Sequence, residues 1–177
     1  MVKKEEQETE EDLKAQVKET IKVRKETDAD NKYIDELLAE AAKTTEIDIP
    51  EGITSIAGGT FENCTSLASI TIPNSVMAIE LGAFSNTAYY NDAKNWDKGV
   101  LYISNCLIEA KTSIAGDYNI KPDTRVIADY ALSGCSNLTS VTFPQSVKSI
   151  GDASFYECKK MNEVNMSDSL QNIGSRA

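Results

Sequence analysis

The sequence predicts an α/β solenoid in which short strands and tight turns, wound from 23-residue units, stack behind a helical N-terminal segment. Two observations carry this reading. From Ile47 onward the same residue types recur every 23 positions, and near residue 45 the composition changes from charged and helix-forming to Ile, Ser, Thr, Gly and Asn. A physical constraint then makes the copies stack, because a unit of that size cannot bury its own apolar face and must share a core with its neighbours. At 177 residues, 41% of them hydrophobic, the chain can build one such body.

Composition narrows the function. Acids outnumber bases 28 to 18, for a net charge of −10, which argues against a phosphate-binding surface and so against a nucleic-acid partner. The absence of histidine removes His general bases, His-paired nucleophiles and His-containing zinc sites together. No apolar run approaches the ~18 residues of a membrane helix, so no membrane insertion is expected. The cysteines at 64, 106, 135 and 158 form no Cys-x-x-Cys pair, and no metal or cofactor is expected.

Residues 1–45 hold 13 acids and 9 bases and neither Pro nor Gly. Leu13, Val17 and Ile21 lie four apart as a thin helical stripe, and Tyr33, Ile34, Leu37, Leu38, Ala41 and Ala42 form a denser one. Asp28 and Asp30 are good N-cap acceptors between them. The expectation is two helices, about 10–26 and 31–43, the second closing the exposed end of the first repeat as a charged cap. The two lysines near Met1 have no apolar segment behind them, so no secretory signal is read.

The solenoid proper is expected over 46–177. Its copies run 47–69, 70–92, 118–140, 141–163 and a partial 164–177, with 93–117 inserted. Ile47, Ile70, Tyr118, Val141 and Val164 align, as do Ile56, Ile79, Ile127, Ile150 and Ile173. Phe61, Phe84, Leu132 and Phe155 align next, followed by Cys64, Thr87, Cys135 and Cys158. The Ile-x-Ile piece reads as a three-residue strand with both Ile inward, the Val-x-x-Ile piece as a second extended stretch, and Ala-Phe-x-x-Cys as a tight helical turn. Phe61, Phe84 and Phe155 are expected in one buried column, and Cys64, Cys135 and Cys158 as packed thiols. Inside the insertion, 100–108 reads as two strands around a Ser-Asn turn, a β-hairpin.

Ile-Pro-Asn-Ser-Val-Met-Ala-Ile (72–79), Gly-Ala-Phe (82–84) and Gly-Cys-Ser-Asn-Leu-Thr-Ser-Val-Thr-Phe-Pro-Gln-Ser-Val-Lys-Ser-Ile-Gly (134–151) closely resemble the BspA-type leucine-rich repeat. The resemblance covers about 46–177 and implies a right-handed leucine-rich-repeat solenoid without enzymatic activity. It also implies a place on bacterial or protist cell surfaces, or in secreted form, and binding to host proteins or neighbouring cells. The chain departs from the pattern at Leu132, at Thr87 and at Ile120-Lys121, where the Pro is lost.

Two candidate sites follow. Alternation along the strands turns Glu46, Asp48, Ser69, Thr71, Asp117, Asn119, Ser140, Thr142, Glu163 and Asn165 outward, as a recognition surface or as a solvated sheet face. Its carboxylates show neither the spacing of a calcium loop nor the enclosed pair of a glycosidase. The insertion and its margin gather Tyr89, Tyr90 and Trp96, either as an aromatic contact patch or as the small core that an insertion needs. The candidate binding residues are Ser69, Thr71, Asn119, Ser140 and Thr142, helped by Tyr89, Tyr90 and Trp96, for a protein or glycan partner. A passive spacer in a larger surface protein is the alternative, and an accessory module of an enzyme a remote one.

Overall fold

Inward Ile and Val residues, recurring at fixed spacing, set the strands of residues 45–49 and 51–177, the part of the chain that the computed structural model describes. The helices expected over about 10–26 and 31–43 lie outside the described residues. In chain order the strands are β1 (Glu46–Asp48), β2 (Ser55–Ile56), β3 (Ser69–Thr71), β4 (Ala78–Ile79), β5 (Trp96–Asp97) and β6 (Val100–Ile103). After them come β7 (Cys106–Ala110), β8 (Ala115–Asn119), β9 (Val126–Ile127), β10 (Asn137–Thr142), β11 (Ser149–Ile150), β12 (Glu163–Asn165) and β13 (Asn172–Ile173). Among the described residues strands dominate and helix is scarce.

Each repeat contributes to three sides. On the first, β1 pairs with β3, and β10 with both β8 and β12, all parallel, so that Ile47 faces Ile70 and Val141 faces Tyr118 and Val164. On the second, Ile56 of β2 faces Ile79 of β4, and Ile150 of β11 faces Ile127 of β9 and Ile173 of β13. The third side has no strands but is laddered all the same. Phe61 N–H donates to Ala83 O (2.8 Å) and Asn63 N–H to Ser85 O (2.9 Å); Leu132 N–H donates to Ser154 O (2.8 Å).

The Ala-Phe-x-x-Cys segments are turns, where the spacing predicts helical turns. Short-range bonds such as Glu62 N–H to Gly59 O (3.1 Å) and Cys64 N–H to Phe61 O (3.2 Å) begin a helix that cannot propagate. Left-handed residues bracket it in each of the four complete copies. One position holds Gly59, Gly82, Tyr130, Ala153 and Arg176, and the residue before the Cys place is Asn63, Asn86, Gly134 or Glu157, all with positive φ. A left-handed residue turns the chain out of the α-helical path.

Ile, Val, Leu and Phe from all three sides meet in one core. Phe61 and Phe84 stack with ring centroids 5.4 Å apart and planes 9° from parallel. Phe155 does not join them: Leu132 stands between in the column, and Phe155 leans on Phe143 at 5.8 Å. Cys64, Cys106 and Cys135 are buried and take part in no disulfide, and Cys158 is half-buried near the last rung. Burial pushes the Cys106 thiol up to about 12 and that of Cys135 up to about 11. The last rung itself is open, with Val164, Met166 and Ile173 exposed.

The insertion is part of this core. After α1 (Ala88–Asn91), β5 and β6 form an antiparallel hairpin across Lys98 and Gly99, both at positive φ as a type I′ turn demands. β6 and β7 form the expected second hairpin around Ser104-Asn105. β7 then pairs parallel with β9, Cys106 facing Val126 and Leu107 facing Ile127, so the inserted strand takes a rung of the second side. All of β6 is buried.

Two outcomes test this packing. A Cβ on Gly151 would strike the Asp129 carboxylate and come 2.5 Å from Asp129 N and 2.7 Å from Ala128 C, whereas at Gly116 it meets nothing within 4 Å. Gly151→Ala should therefore cost on the order of 2–3 kcal/mol in urea melts, and Gly116→Ala, which is only conformationally strained, about 1 kcal/mol. Equal losses would refute the close stacking at Gly151. For the thiols, iodoacetamide at pH 8 followed by mass spectrometry should label Cys158 first and the other three only on unfolding. Rapid native labelling of Cys64 or Cys135 would show that the register is wrong.

Candidate functional site

Alternation puts Glu46, Asp48, Ser69 and Thr71 on the exposed face of the β1–β3 pair. It puts Asp117 and Asn119 of β8, Ser140 and Thr142 of β10, and Glu163 and Asn165 of β12 on the corresponding face of a second sheet. Asn119 and Thr142 are register partners, as are Asp117 and Ser140. The expected polar array is thus divided between two sheets, with Ser69 and Thr71 in one and Asn119, Ser140 and Thr142 in the other.

Much of the second patch is bonded to itself. Asp117 Oδ1 accepts from Ser140 Oγ (2.7 Å) and Thr139 Oγ1 (2.9 Å), and these hydroxyls hold its carboxyl below the usual range. Asn165 Nδ2 donates to Glu163 Oε1 at 3.0 Å. Both contacts rigidify the face and commit polar groups that a ligand would otherwise use.

Tyr89, Tyr90 and Trp96 come together at the hairpin. Tyr90 and Trp96 pack edge to face at 5.3 Å, and Trp96 Nε1 donates to Tyr90 O at 2.7 Å. Tyr89 hydroxyl donates to Tyr102 O (3.0 Å), and Tyr90 hydroxyl reaches both oxygens of Glu109 (3.0 Å). Burial, then the charge of Glu109 and its bond, push the Tyr90 phenol up to about 12. The three rings are half-buried and brace the insertion.

Sequence reading missed a cleft between repeats two and three. Its lining includes Glu80, Leu81, Tyr90, Ile108, Glu109, Asp129 and Tyr130. Asp129 is half-buried, and its carboxyl is raised by burial, against a backbone bond from Asp152, and further by the charges of Asp152 and Glu80. Glu80–Ser85 and Ala128–Ser133 are the same segment of two successive repeats, and Ile108, Glu109 and Ala110 of the insertion stand beside them in the lining. Among the described residues no group of His, Cys, Asp and Glu side chains could hold a metal ion, and no helix is long and apolar enough to cross a membrane.

Similar solved structures include a leucine rich cell surface protein from Faecalibacterium prausnitzii, 28% identical, where 73% of this chain matches 44% of that one with a TM-score of 0.43. The pneumococcal vaccine antigen PcpA is 17% identical over 75% of this chain and 47% of its own, with a TM-score of 0.44. A leucine-rich repeat protein from Bacteroides ovatus is 24% identical over 75% of this chain and 40% of its own, with a TM-score of 0.29. The chain spans less than half the length of each of these three. No curated protein matches it significantly. The model of the BspA type leucine rich repeat region matches residues 32–115 and 103–177 in six copies, and with its laddered 23-residue units this chain belongs to that family.

Proposed function

We propose that the chain is a non-catalytic binding and adhesion module of a cell-surface protein, taking a protein or glycan partner on its outward sheet faces. The observation that carries this reading is the parallel register, which fixes Ser69 beside Glu46, Thr71 beside Asp48 and Thr142 beside Asn119. A rigid, pre-organised display lowers the ordering cost of association. Ser69, Thr71, Asn119, Ser140 and Thr142 make the contact, and Tyr89, Tyr90 and Trp96 support it from the hairpin. The surplus of acids, 28 against 18 bases, favours a neutral or basic partner over an anionic one such as nucleic acid. In this reading residues 1–45 are a charged cap and 46–177 the solenoid, although the family match begins earlier, at residue 32.

The self-bonded Asp117, Ser140 and Thr139 cluster favours a second reading, a passive spacer within a larger surface protein. Display of the full chain in many copies on beads separates the two, because a small face binds weakly and gains from multivalency. Wild-type beads should retain a glycan or protein that beads carrying Thr71→Lys, Asn119→Lys and Thr142→Lys lose, by about tenfold or more. Equal retention, or none by the wild type, would establish the spacer.

A further inference from the structure

Where the hairpin enters, the third side of the stack opens. Ala83 O and Ser85 O accept N–H groups from repeat one, but Ala131 O, the carbonyl repeat two would reach, accepts from Ala110 N at 2.6 Å. Among the described residues Phe84 and Asn86, counterparts of the donors Phe61 and Asn63, have no backbone acceptor across the gap. The gap is a cleft of ≈ 260 Å³. That is below the roughly 300–1,000 Å³ of pockets for drug-sized molecules and suits a single long side chain.

Leu81, Tyr90, Ile108 and Tyr130 give it apolar and aromatic walls, and Glu80, Glu109 and Asp129 add carboxylates. No Lys or Arg is among the lining residues. We infer that this cleft receives a Lys or Arg side chain from a basic segment of a partner protein. The methylene stem lies along Leu81 and Ile108, the charged head meets the carboxylates, and tyrosine faces favour a nearby cation. The N–H of Phe84, which lines the cleft and has no backbone acceptor, offers a donor to a carbonyl of the same segment. Asp129 is already crowded by burial and by the charges of Asp152 and Glu80, a cost that a bound cation relieves. The cleft is separate from the sheet faces, so this inference stands or falls independently of the function proposed there.

Amide chemical shifts of the full chain, followed during titration with short peptides that carry a central arginine, lysine or glutamate, test it. The arginine and lysine peptides should shift Ser85, Tyr130 and Ser133, and the glutamate peptide should not. Glu109→Gln with Asp129→Asn keeps the acceptors for Tyr90 hydroxyl and Asp152 N–H, and should weaken binding about tenfold. Ser133→Lys, which places a cation on the cleft wall, should abolish it. Equal binding of the glutamate peptide, shifts confined to the β8–β10–β12 face, or unchanged affinity in both variants would overturn the inference.

Discussion

Everything in this molecule depends on one interaction, the hydrogen bond between a backbone group and its counterpart one repeat away. A strand of two or three residues is unstable alone, and a turn of six has no core of its own. Stacked at 23-residue spacing, both become rungs, and the ladder runs along three sides instead of one. Side chains extend it: Asp152 N–H donates to Asp129 Oδ1 and Ser175 N–H to Asp152 Oδ1, at 2.8 and 2.7 Å. Close approach has a steric condition, met by Gly151 and Gly174, where any Cβ would collide with the preceding rung.

The departures from the repeat pattern follow from the same constraint. Lys121 replaces a proline, and its N–H approaches Tyr102 hydroxyl (3.4 Å) while its ammonium lies over the Tyr102 ring (4.6 Å) and pairs with Asp97 (3.2 Å). A proline has no N–H to offer there. Thr87 replaces a cysteine, and its hydroxyl accepts from Tyr90 N–H at 3.0 Å, capping α1 where the chain leaves the repeat. Ser104 in the hairpin turn supplies an acceptor for Ile72 N–H at 2.9 Å, the bond that Thr71 O gives Ile49 in the regular stack. Each irregular residue restores a contact that the insertion would otherwise remove.

This explains what the sequence could and could not disclose. Period, rung strands, inward thiols and the 104–105 hairpin were legible because they depend on residue type at fixed spacing. The turns were misread as helical because apolar spacing alone does not report backbone handedness, although Gly59, Gly82 and Gly134, with Asn63 and Asn86, marked left-handed places. The Phe column failed at Leu132 because stacking is between adjacent copies and one substitution breaks it. β5 was missed because its pairing depends on the Lys98-Gly99 turn, and the cleft because no local pattern joins residues 80, 109 and 129.

A regular stack satisfies its polar groups by bonding them to itself, and that bears on where recognition can occur. Ser140 is exposed in part yet already donates to Asp117, so its hydroxyl is worth less to a ligand than its position suggests. Asn63 accepts from Asn86 and Asn137 from Lys160, again at 23-residue spacing. Spare donors and uncompensated charge collect where the spacing is interrupted, because there a rung has lost the neighbour that would have used them. The insertion therefore does two opposed things: it repairs the first and second sides with Ser104 and β7, and it leaves the third side open between Phe84 and Ala131.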